Sequence, residues 1–234
     1  MLLAEKNILV TGSAKRIGAE IVRQLAEKGS HVIIHCNTSL PEAEALLASL
    51  PGNGHKIIQA DLSIPEEAQK LFDNCPALDC IINNASLYRH CGIYDEKTAK
   101  ELWEINYNSP LVLMQNFVNA PPPAGGCIIN ILDQEILSDR PHSGAYLESR
   151  LALKEATAKF AKAYGKMNLR FNAVCPGPML PPAELPESKM EKTIATLPLL
   201  RRVEPADLAR SVIFLLECDS ITGAILPVDC GQHL

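Results

Sequence analysis

Short apolar runs recur along the chain, and the stretches between them carry apolar residues at three- and four-residue steps. Runs of this length, rich in Val and Ile, are typical of buried strands, whereas the longer spacing is typical of amphipathic helices. Because strands that alternate with helices form a parallel sheet covered on both faces, the pattern predicts an α/β fold with a doubly wound, mainly parallel sheet. The seven predicted strands span residues 7–10, 31–35, 56–60, 78–82, 128–133, 169–175 and 224–229.

Helical patterns fill the intervals between these strands. They cover residues 21–28, 43–50, 65–75, 88–117, 146–161 and 205–217. Neither a repeat nor a linker interrupts residues 1–234, so the chain is predicted to form a single domain. Residues 179–198 are rich in Pro, Glu and Lys, and they predict a mobile substrate lid around a short helix.

A glycine-containing turn, Thr11 to Gly18, directly follows the first strand and leads into a helix. Unpaired backbone N–H groups and the helix dipole favour an anion at such a turn. We therefore predict that the turn binds the phosphates of a dinucleotide. Arg16 stands where the usual spacing has its middle glycine.

The end of the second strand bears on which dinucleotide binds. An acidic residue at this point usually binds the ribose 2′-hydroxyl of NAD, whereas its absence beside an arginine suits the 2′-phosphate of NADP. Here Asn37, Thr38 and Ser39 follow the strand, and no carboxylate appears before Glu42. The sequence therefore favours NADPH. The alternative is that residues 37–39 only cap the next helix.

Asp133 and Tyr146 are the strongest candidates for proton transfer. Asp133 ends a buried strand, at the edge where open α/β sheets bind ligands. Tyr146 and Arg150 are one helical turn apart, which places their Cβ atoms about 6 Å from each other. A phenol beside a cation and facing a carboxylate can move a proton. The alternative is a packed tyrosine with a solvated surface arginine.

Composition narrows the classes of function. The 234 residues are 47% hydrophobic and 21% charged, which suits one globular core, and the formal charge of −5 argues against nucleic acid or a membrane surface as the main partner. No apolar run approaches the about 18 residues of a membrane span, and the N-terminus lacks the pattern of a signal peptide. The eight cysteines are scattered, so we expect reduced thiols in a cytoplasmic protein and no metal site.

Taken in order, these motifs resemble the short-chain dehydrogenase/reductase family over essentially the whole chain. Further matching motifs are Asp61-Leu62, Asn83-Asn84-Ala85, Asn106, Pro176-Gly177, and Ile221-Thr222-Gly223 before Val228-Asp229. The resemblance implies a Rossmann-like domain that binds NADPH. The cofactor residues it implies are Gly12, Ser13, Arg16, Ile17, Asn37, Thr38, Ser39, Asp61, Leu62, Asn84, Ala85, Ser86, Tyr146, Arg150, Pro176 and Gly177.

Within the family, the chain is most similar to the pteridine reductases and the related dihydrofolate and dihydromonapterin reductases. Arg16 replaces a glycine, Ser86 follows Asn83 to Ala85, and Asp133 stands where most members have serine. In pteridine reductases an aromatic residue near this turn stacks on the pterin, and Tyr88 has the matching place. The resemblance implies a substrate site formed by Arg16, Ser86, Tyr88, Asp133 and Tyr146.

The resemblance also implies a mechanism, in which hydride passes from NADPH to a ring carbon while a proton reaches the adjacent nitrogen. Tyr146 is then the proton donor, Asp133 donates or relays protons, and Asn106 holds a water in the relay. Arg150 departs from the family signature Tyr-x-x-x-Lys. It keeps the positive charge that lowers the pKa of the tyrosine, but a guanidinium stays protonated and cannot pass a proton onward.

The leading hypothesis is an NADPH-dependent reductase of a pterin or dihydrofolate-type substrate. One alternative is another carbonyl reductase of the family, such as a 3-oxoacyl carrier-protein reductase. Another is a catalytically weak NADP(H)-binding sensor or scaffold, which Arg150 motivates. The resemblance further implies a homotetramer or homodimer, with the helices of Trp103 and Tyr146 as candidate interfaces.

Overall fold

Seven parallel strands form one sheet in the computed structural model, which describes residues 1–89, 95–138, 144–179 and 187–234, with backbone alone for 187–189. The strand order is β3-β2-β1-β4-β5-β6-β7. The strands are β1 Asn7–Val10, β2 His31–Cys36, β3 Lys56–Gln59, β4 Cys80–Asn83, β5 Gly126–Ile131, β6 Leu169–Pro176 and β7 Ile225–Val228. The predicted doubly wound α/β fold is confirmed, and every strand pair is parallel.

Eight α-helices occur in the described ranges. They are α1 Arg16–Glu27, α2 Leu40–Ser49, α3 Glu67–Asp73, α4 Glu96–Trp103, α5 Ser109–Asn119, α6 Ala145–Tyr164, α7 Glu187–Ile194 and α8 Pro205–Glu217. A π-helical segment, Glu104–Asn108, joins α4 to α5, and a short 3₁₀ turn, Gln134–Leu137, follows β5.

Apolar side chains cover both faces of the sheet, which explains why the strands have continuous apolar runs rather than an alternating pattern. Ile8 and Val10 of β1 pack on one face, with α1, α2 and α8. Leu9 points to the other face, with α3, α5 and α6. The sheet is therefore the middle layer of three, and its carboxyl edge is open to loops.

The helix predicted to begin at Tyr88 was placed too early. In the described part of this segment, α4 begins at Glu96, and the Asp95 side chain caps it by accepting a hydrogen bond from the Thr98 amide at 3.0 Å. Residues 84–89 have no regular structure, because the side chains of Thr11 and Asn106 bind their backbone instead.

The π-helical segment was also not predicted from the apolar spacing. Pro110 lies in the first turn of α5 and has no N–H to offer the carbonyl of Asn106, four residues earlier. Local π-helical turns often occur at functional sites. This one brings Asn106 beside the chain that follows β4.

Two predictions concern parts of the molecule that the structure covers only partly. Residues 180–186 of the predicted lid lie outside the described residues, whereas the short helix expected within it is α7. Neither α4 nor α6 exposes a large apolar side chain, so the homo-oligomer through these helices stays a prediction. Among the described helices, none has the length and apolar character needed to cross a membrane.

Candidate active site

The candidate site lies at the carboxyl edge of the sheet, where β1 and β4 are neighbours. The connections after β1 and β4 run in opposite directions along the sheet, toward β2 and β5, so this is a topological switch point. Open α/β sheets bind ligands in the crevice at such a point. The glycine turn after β1 and the Asn84-Ala85 segment after β4 meet here.

Thr11 holds these two segments together. Its Oγ1 accepts hydrogen bonds from the amides of Asn84 at 3.0 Å and Ala85 at 2.9 Å. In return, the Asn84 side chain donates to the carbonyls of Thr11 and Gly12. A Cβ at Gly12 would lie 2.8 Å from the Cα of Ala85, so the contact requires glycine. Thr11 was part of the sequence motif but was not predicted as a site residue.

Arg16 begins α1 and has a φ of 54°, the left-handed conformation that glycine adopts easily. A non-glycine residue in this region carries backbone strain, and such residues concentrate at functional sites. The conformation is therefore consistent with the glycine that the usual turn has at this place. The strained backbone makes the Arg16 side chain a candidate for a role in binding.

His35 accepts two of the backbone N–H groups of the glycine turn. Its Nδ1 accepts the Gly12 amide at 2.9 Å, and its carbonyl accepts the Ser13 amide at 2.9 Å. These two N–H groups are consequently paired within the protein and are not free anion donors as the sequence pattern predicted. First-turn amides of a helix generally lack intrahelical partners, so those of Ile17 and Gly18 are the remaining candidate anion donors of the turn.

The segment after β2 is open to solvent. Asn37 and Thr38 are exposed, and Ser39 is the N-cap residue of α2 but its side chain makes no capping hydrogen bond. The alternative that this segment only caps the helix is therefore weakened.

Asp61 lies beyond β3, where the Ser63 amide and hydroxyl hold its pKa below the usual range. Leu62 is buried.

Tyr146 and Asp133 form a direct pair. The Tyr146 hydroxyl donates to Oδ2 of Asp133 at 2.7 Å, while Oδ1 of Asp133 accepts the Glu135 amide at 2.9 Å. The aspartate therefore has one oxygen fixed by its own 3₁₀ turn and the other directed at the phenol. The predicted juxtaposition of a carboxylate and a phenol is present in the structure.

Burial dominates the electrostatics of this pair. It raises the pKa of the Tyr146 phenol, an effect that the Arg150 charge opposes and the Asp133 charge reinforces. Burial also raises the pKa of the Asp133 carboxyl, against the hydrogen bonds from Glu135 and Tyr146 and the charge of Arg150. A phenol with a raised pKa keeps its proton at neutral pH, as a proton donor must.

Arg150 is buried rather than solvated, with 2% of its surface exposed. Its guanidinium carbon lies 5.5 Å from the centre of the Tyr146 ring, and one terminal nitrogen donates to the Ile131 carbonyl at 3.3 Å. Its Nε has no hydrogen-bond partner among the described residues. A buried donor without a partner is costly, so this side chain is suited to bind a polar ligand.

Asn106 holds the segment that carries Tyr88. The Asn106 side chain is fully buried and bonds both the amide and the carbonyl of Leu87, at 3.0 and 2.9 Å. This fixes the backbone next to Tyr88, whose ring meets that of Tyr146 edge to face with centroids 4.8 Å apart. Tyr88 is otherwise 70% exposed, and Ser86 is exposed in the same segment.

A buried polar chain beneath the site was not predicted from the sequence. Asn83 donates to Asn130 at 2.8 Å, Asn130 donates to Thr157 at 2.8 Å, and Thr157 donates to the Leu153 carbonyl. These bonds tie β4 and β5 to α6, the helix that carries Tyr146. They fix where Tyr146 lies relative to Asp133.

Pro176 and Gly177 end β6 at the same edge. The Gly177 amide donates to the Val228 carbonyl at 3.0 Å, and a Cβ at this glycine would lie 2.6 Å from the Cα of Asp229. Glycine is therefore needed for the close approach to the end of β7.

Within the described residues, no group of three His, Cys, Asp or Glu side chains is placed to hold a metal ion. The seven described cysteines are free thiols.

An open cleft of about 550 Å³ adjoins the glycine turn. Lys15, Arg16 and Arg23 line it together with Glu20 and Glu42. Lys15 pairs with Glu42 at 3.0 Å and Arg23 with Glu20 at 3.6 Å. Neither Tyr146 nor Asp133 lines this cleft, so it is separate from the proton-transfer site.

Comparison with known proteins identifies this arrangement. A family model described as enoyl-(acyl carrier protein) reductase matches residues 12–233. The chain belongs to the short-chain dehydrogenase/reductase family. Carbonyl reductase family member 4 of Danio rerio is 31% identical to this short-chain dehydrogenase/reductase over 232 residues, which cover 97% of each protein.

Two further relatives of this short-chain dehydrogenase/reductase differ in their activities. The 3-oxoacyl-[acyl-carrier-protein] reductase FabG of Thermotoga maritima is 27% identical over 246 residues and covers 99% of each protein. The solved structure of FolM alternative dihydrofolate reductase 1 from Brucella canis, complexed with NADP, is 33% identical with a TM-score of 0.90, covering 99% of this chain and 95% of that one.

Proposed function

We propose that this chain is an NADPH-dependent reductase of a pterin or dihydrofolate-type substrate. The observation that carries the proposal is the contact of Tyr146 with both Asp133 and Tyr88. The hydroxyl of Tyr146 lies 2.7 Å from the Asp133 carboxylate. The Tyr146 ring packs edge to face against the ring of Tyr88, which is largely exposed. A proton donor beside an exposed aromatic surface suits a flat heterocycle that accepts a proton at nitrogen.

The cofactor is supported by this chain's own donors. Arg150 has a buried Nε without a partner among the described residues, which suits the hydroxyls of a nicotinamide ribose. The absence of a carboxylate among Asn37, Thr38 and Ser39 suits a 2′-phosphate. The Brucella canis relative is a complex with NADP. When bound, NADPH supplies the hydride.

The protein's residues then manage the proton. Tyr146 holds the proton that the substrate nitrogen receives, because its raised pKa keeps the phenol protonated. After Tyr146 has given up its proton, a protonated Asp133 can return one along the same hydrogen bond, with the carboxyl then as donor, and burial raises the pKa of this carboxyl. Arg150 stabilises negative charge that develops on the phenol oxygen, but it does not exchange protons itself.

Tyr88 is the proposed stacking residue for the pterin, and Ser86 and Arg16 are the proposed polar contacts. The Asn106–Leu87 bonds keep the Tyr88 segment in place. The two bonds to Leu87 use one of the two donors and one of the two acceptor positions of the Asn106 side-chain amide. We propose that the water which the family resemblance assigns to Asn106 binds its backbone carbonyl, because Pro110 cannot supply the usual N–H donor four residues later.

A second candidate is a 3-oxoacyl carrier-protein reductase. The observation that favours it is the match to the Thermotoga maritima enzyme over 99% of each chain. A third candidate, a weakly catalytic NADP(H)-binding protein, follows from Arg150, which cannot relay a proton as the lysine of the family signature can. The proposed homotetramer and cytoplasmic location depend on the resemblance and on composition.

Initial rates of NADPH oxidation distinguish these candidates. We expect purified protein to oxidise NADPH on addition of dihydrobiopterin, dihydromonapterin or dihydrofolate, and to be less active with acetoacetyl thioesters. Tyr146→Phe should lower kcat by about 10²-fold or more, because it removes the proton donor. Arg150→Lys should keep activity, since lysine is the usual residue at this place in the family.

The opposite results assign the other candidates. Faster turnover of a 3-oxoacyl thioester than of any pterin supports the carrier-protein reductase. Wild-type protein that binds NADPH but turns over neither class, with activity gained in Arg150→Lys, supports the weakly catalytic binding protein.

A further inference from the structure

His35 is a buried histidine at the centre of the cofactor edge, with 2% of its surface exposed. Its Nδ1 accepts the Gly12 amide at 2.9 Å, and its Nε2 lies 3.2 Å from the Ala60 carbonyl. A backbone N–H can only donate and a carbonyl can only accept. The geometry therefore requires the neutral tautomer with its proton on Nε2.

These bonds connect three segments that are far apart in sequence. Gly12 belongs to the glycine turn, and Ala60 directly precedes Asp61. The His35 backbone adds two more bonds to the turn, from its amide to the Ser13 hydroxyl at 3.2 Å and to its carbonyl from the Ser13 amide. Two residues later the chain reaches Asn37. The imidazole is thus bonded to, or next to, three segments that contain predicted cofactor residues: the glycine turn, residues 37–39 and the segment of Asp61.

We propose that His35 is a positioning residue that holds the glycine turn, the Asn37–Ser39 segment and Asp61 in one arrangement for binding of NADP(H). It acts through backbone hydrogen bonds and does not itself contact the cofactor. The inference rests on the proposed cofactor, and it is independent of which substrate is reduced.

The electrostatics are consistent with this geometry. Burial lowers the pKa of His35 to about 4, and the Ala60 carbonyl and the charge of Asp61 oppose the effect only in part. His35 therefore stays neutral at physiological pH and keeps its acceptor toward Gly12. A histidine that gained a second proton would lose that bond.

The chain contains a matched control for this role. Nδ1 of His55 accepts the Val32 amide at 3.2 Å, and its Nε2 lies 2.9 Å from the Pro51 carbonyl. The bonding pattern is the same, but Val32 lies near the beginning of β2, away from the carboxyl edge. Loss of His55 should affect stability without a specific effect on the cofactor.

The test is calorimetric titration of NADP⁺ into wild type, His35→Leu, His35→Gln and His55→Leu, each checked for folding by circular dichroism. We expect His35→Leu to bind NADP⁺ about tenfold more weakly, because leucine leaves the Gly12 amide and the Ala60 carbonyl without partners. His35→Gln should recover most of the affinity, since one glutamine amide can both accept and donate. His55→Leu should bind as wild type does.

A second measurement follows the imidazole itself. Nitrogen–proton correlation spectra of the free protein should show the Nε2–H tautomer of His35 at neutral pH. If His35→Leu fails to fold, His35→Asn replaces it: the shorter amide cannot reach both partners, so it should bind NADP⁺ more weakly than His35→Gln.

Three results would overturn the inference. The first is wild-type affinity for NADP⁺ in His35→Leu, or in His35→Asn where that variant replaces it. The second is a loss of NADP⁺ affinity in His55→Leu equal to that in His35→Leu. The third is a protonated His35 at neutral pH. Absence of NADP⁺ binding by the wild type would instead contradict the proposed cofactor, and the two failures are therefore distinguishable.

Discussion

At the scale of single residues, the site depends on how burial and charge act on one phenol. Burial raises the pKa of both Tyr146 and Asp133, although the nearby charge of Arg150 acts to lower both pKa values. A carboxyl group can return a proton to the tyrosine only while it is protonated. The aspartate should therefore set the upper pH limit of turnover.

The first prediction concerns this limit. As pH rises through the raised pKa of Asp133, the acid form disappears and kcat for the pterin should fall. Asp133→Asn cannot ionise, so its kcat should be about 10²-fold lower at acid pH and should not show this step. The measurement is kcat at saturating NADPH and pterin from about pH 5 to about pH 8.

Glu135→Gln is the matched control for that series, because Glu135 is a neighbouring carboxylate in the same 3₁₀ turn. Its negative charge contributes to the raised pKa of Asp133. The Glu135→Gln profile should keep the step and move it toward lower pH. A step that persists unchanged in Asp133→Asn would assign the titration to a different group.

The sequence predicted the partners of Tyr146 better than the structural support beneath them. Asp133, Tyr146 and Arg150 are found from local spacing, because the strand end and the helical period place them. The partners of His35 lie 23 and 25 positions away in the sequence. Local spacing therefore did not indicate that this histidine has a role in the site. A polar residue inside an apolar run was the one signal available, since a buried polar group needs partners.

At the scale of elements, the glycine turn is positioned by close packing of backbone on backbone. A Cβ at Gly18 would lie 2.6 Å from the Cα of Ser13 and 2.7 Å from the Asn84 side-chain nitrogen. Gly165 has no atom within 4 Å of its Cβ position and a helical φ of −57°. The two glycines therefore differ in what an added methyl group meets.

Alanine substitution at these glycines gives the second prediction. Gly18→Ala should lower the free energy of unfolding by about 1–3 kcal/mol, because the turn must shift to make room, and it should weaken NADP⁺ binding. Gly165→Ala should stay within about 0.5 kcal/mol of wild type. Urea unfolding and NADP⁺ titration measure both effects, and equal losses in the two variants would contradict the packing argument.

The elements themselves were largely predictable, since buried strands and amphipathic helices have distinct periods. The early start assigned to the helix at Tyr88 was wrong because the side chains of Thr11, directly after β1, and of Asn106, in the π-helical segment, bind the backbone of residues 84–87. Such long-range hydrogen bonds leave no local period in the sequence. For the same reason, the buried hydrogen-bond network from Asn83 to Thr157 was not predicted.

At the scale of the whole molecule, cofactor choice is expressed as a difference in stability. A ligand that binds only the folded chain raises its unfolding temperature in proportion to the logarithm of ligand concentration over Kd. We expect NADP⁺ to stabilise this protein more than NAD⁺ at equal concentration. The chain carries a formal charge of −5, so a preference for the more negative cofactor requires local donors rather than net charge.

The last prediction places a carboxylate among those donors. Thr38 is exposed, so Thr38→Asp should leave the stability of the free protein within about 0.5 kcal/mol. The new charge should repel a 2′-phosphate and accept a ribose 2′-hydroxyl, which lowers the preference for NADP⁺ over NAD⁺ by about tenfold or more. Thermal unfolding with each cofactor measures the change.

Asn53→Asp adds the same charge at an exposed loop position before β3 and should keep the preference. An unchanged preference in Thr38→Asp would show that the segment after β2 does not recognise the 2′-phosphate.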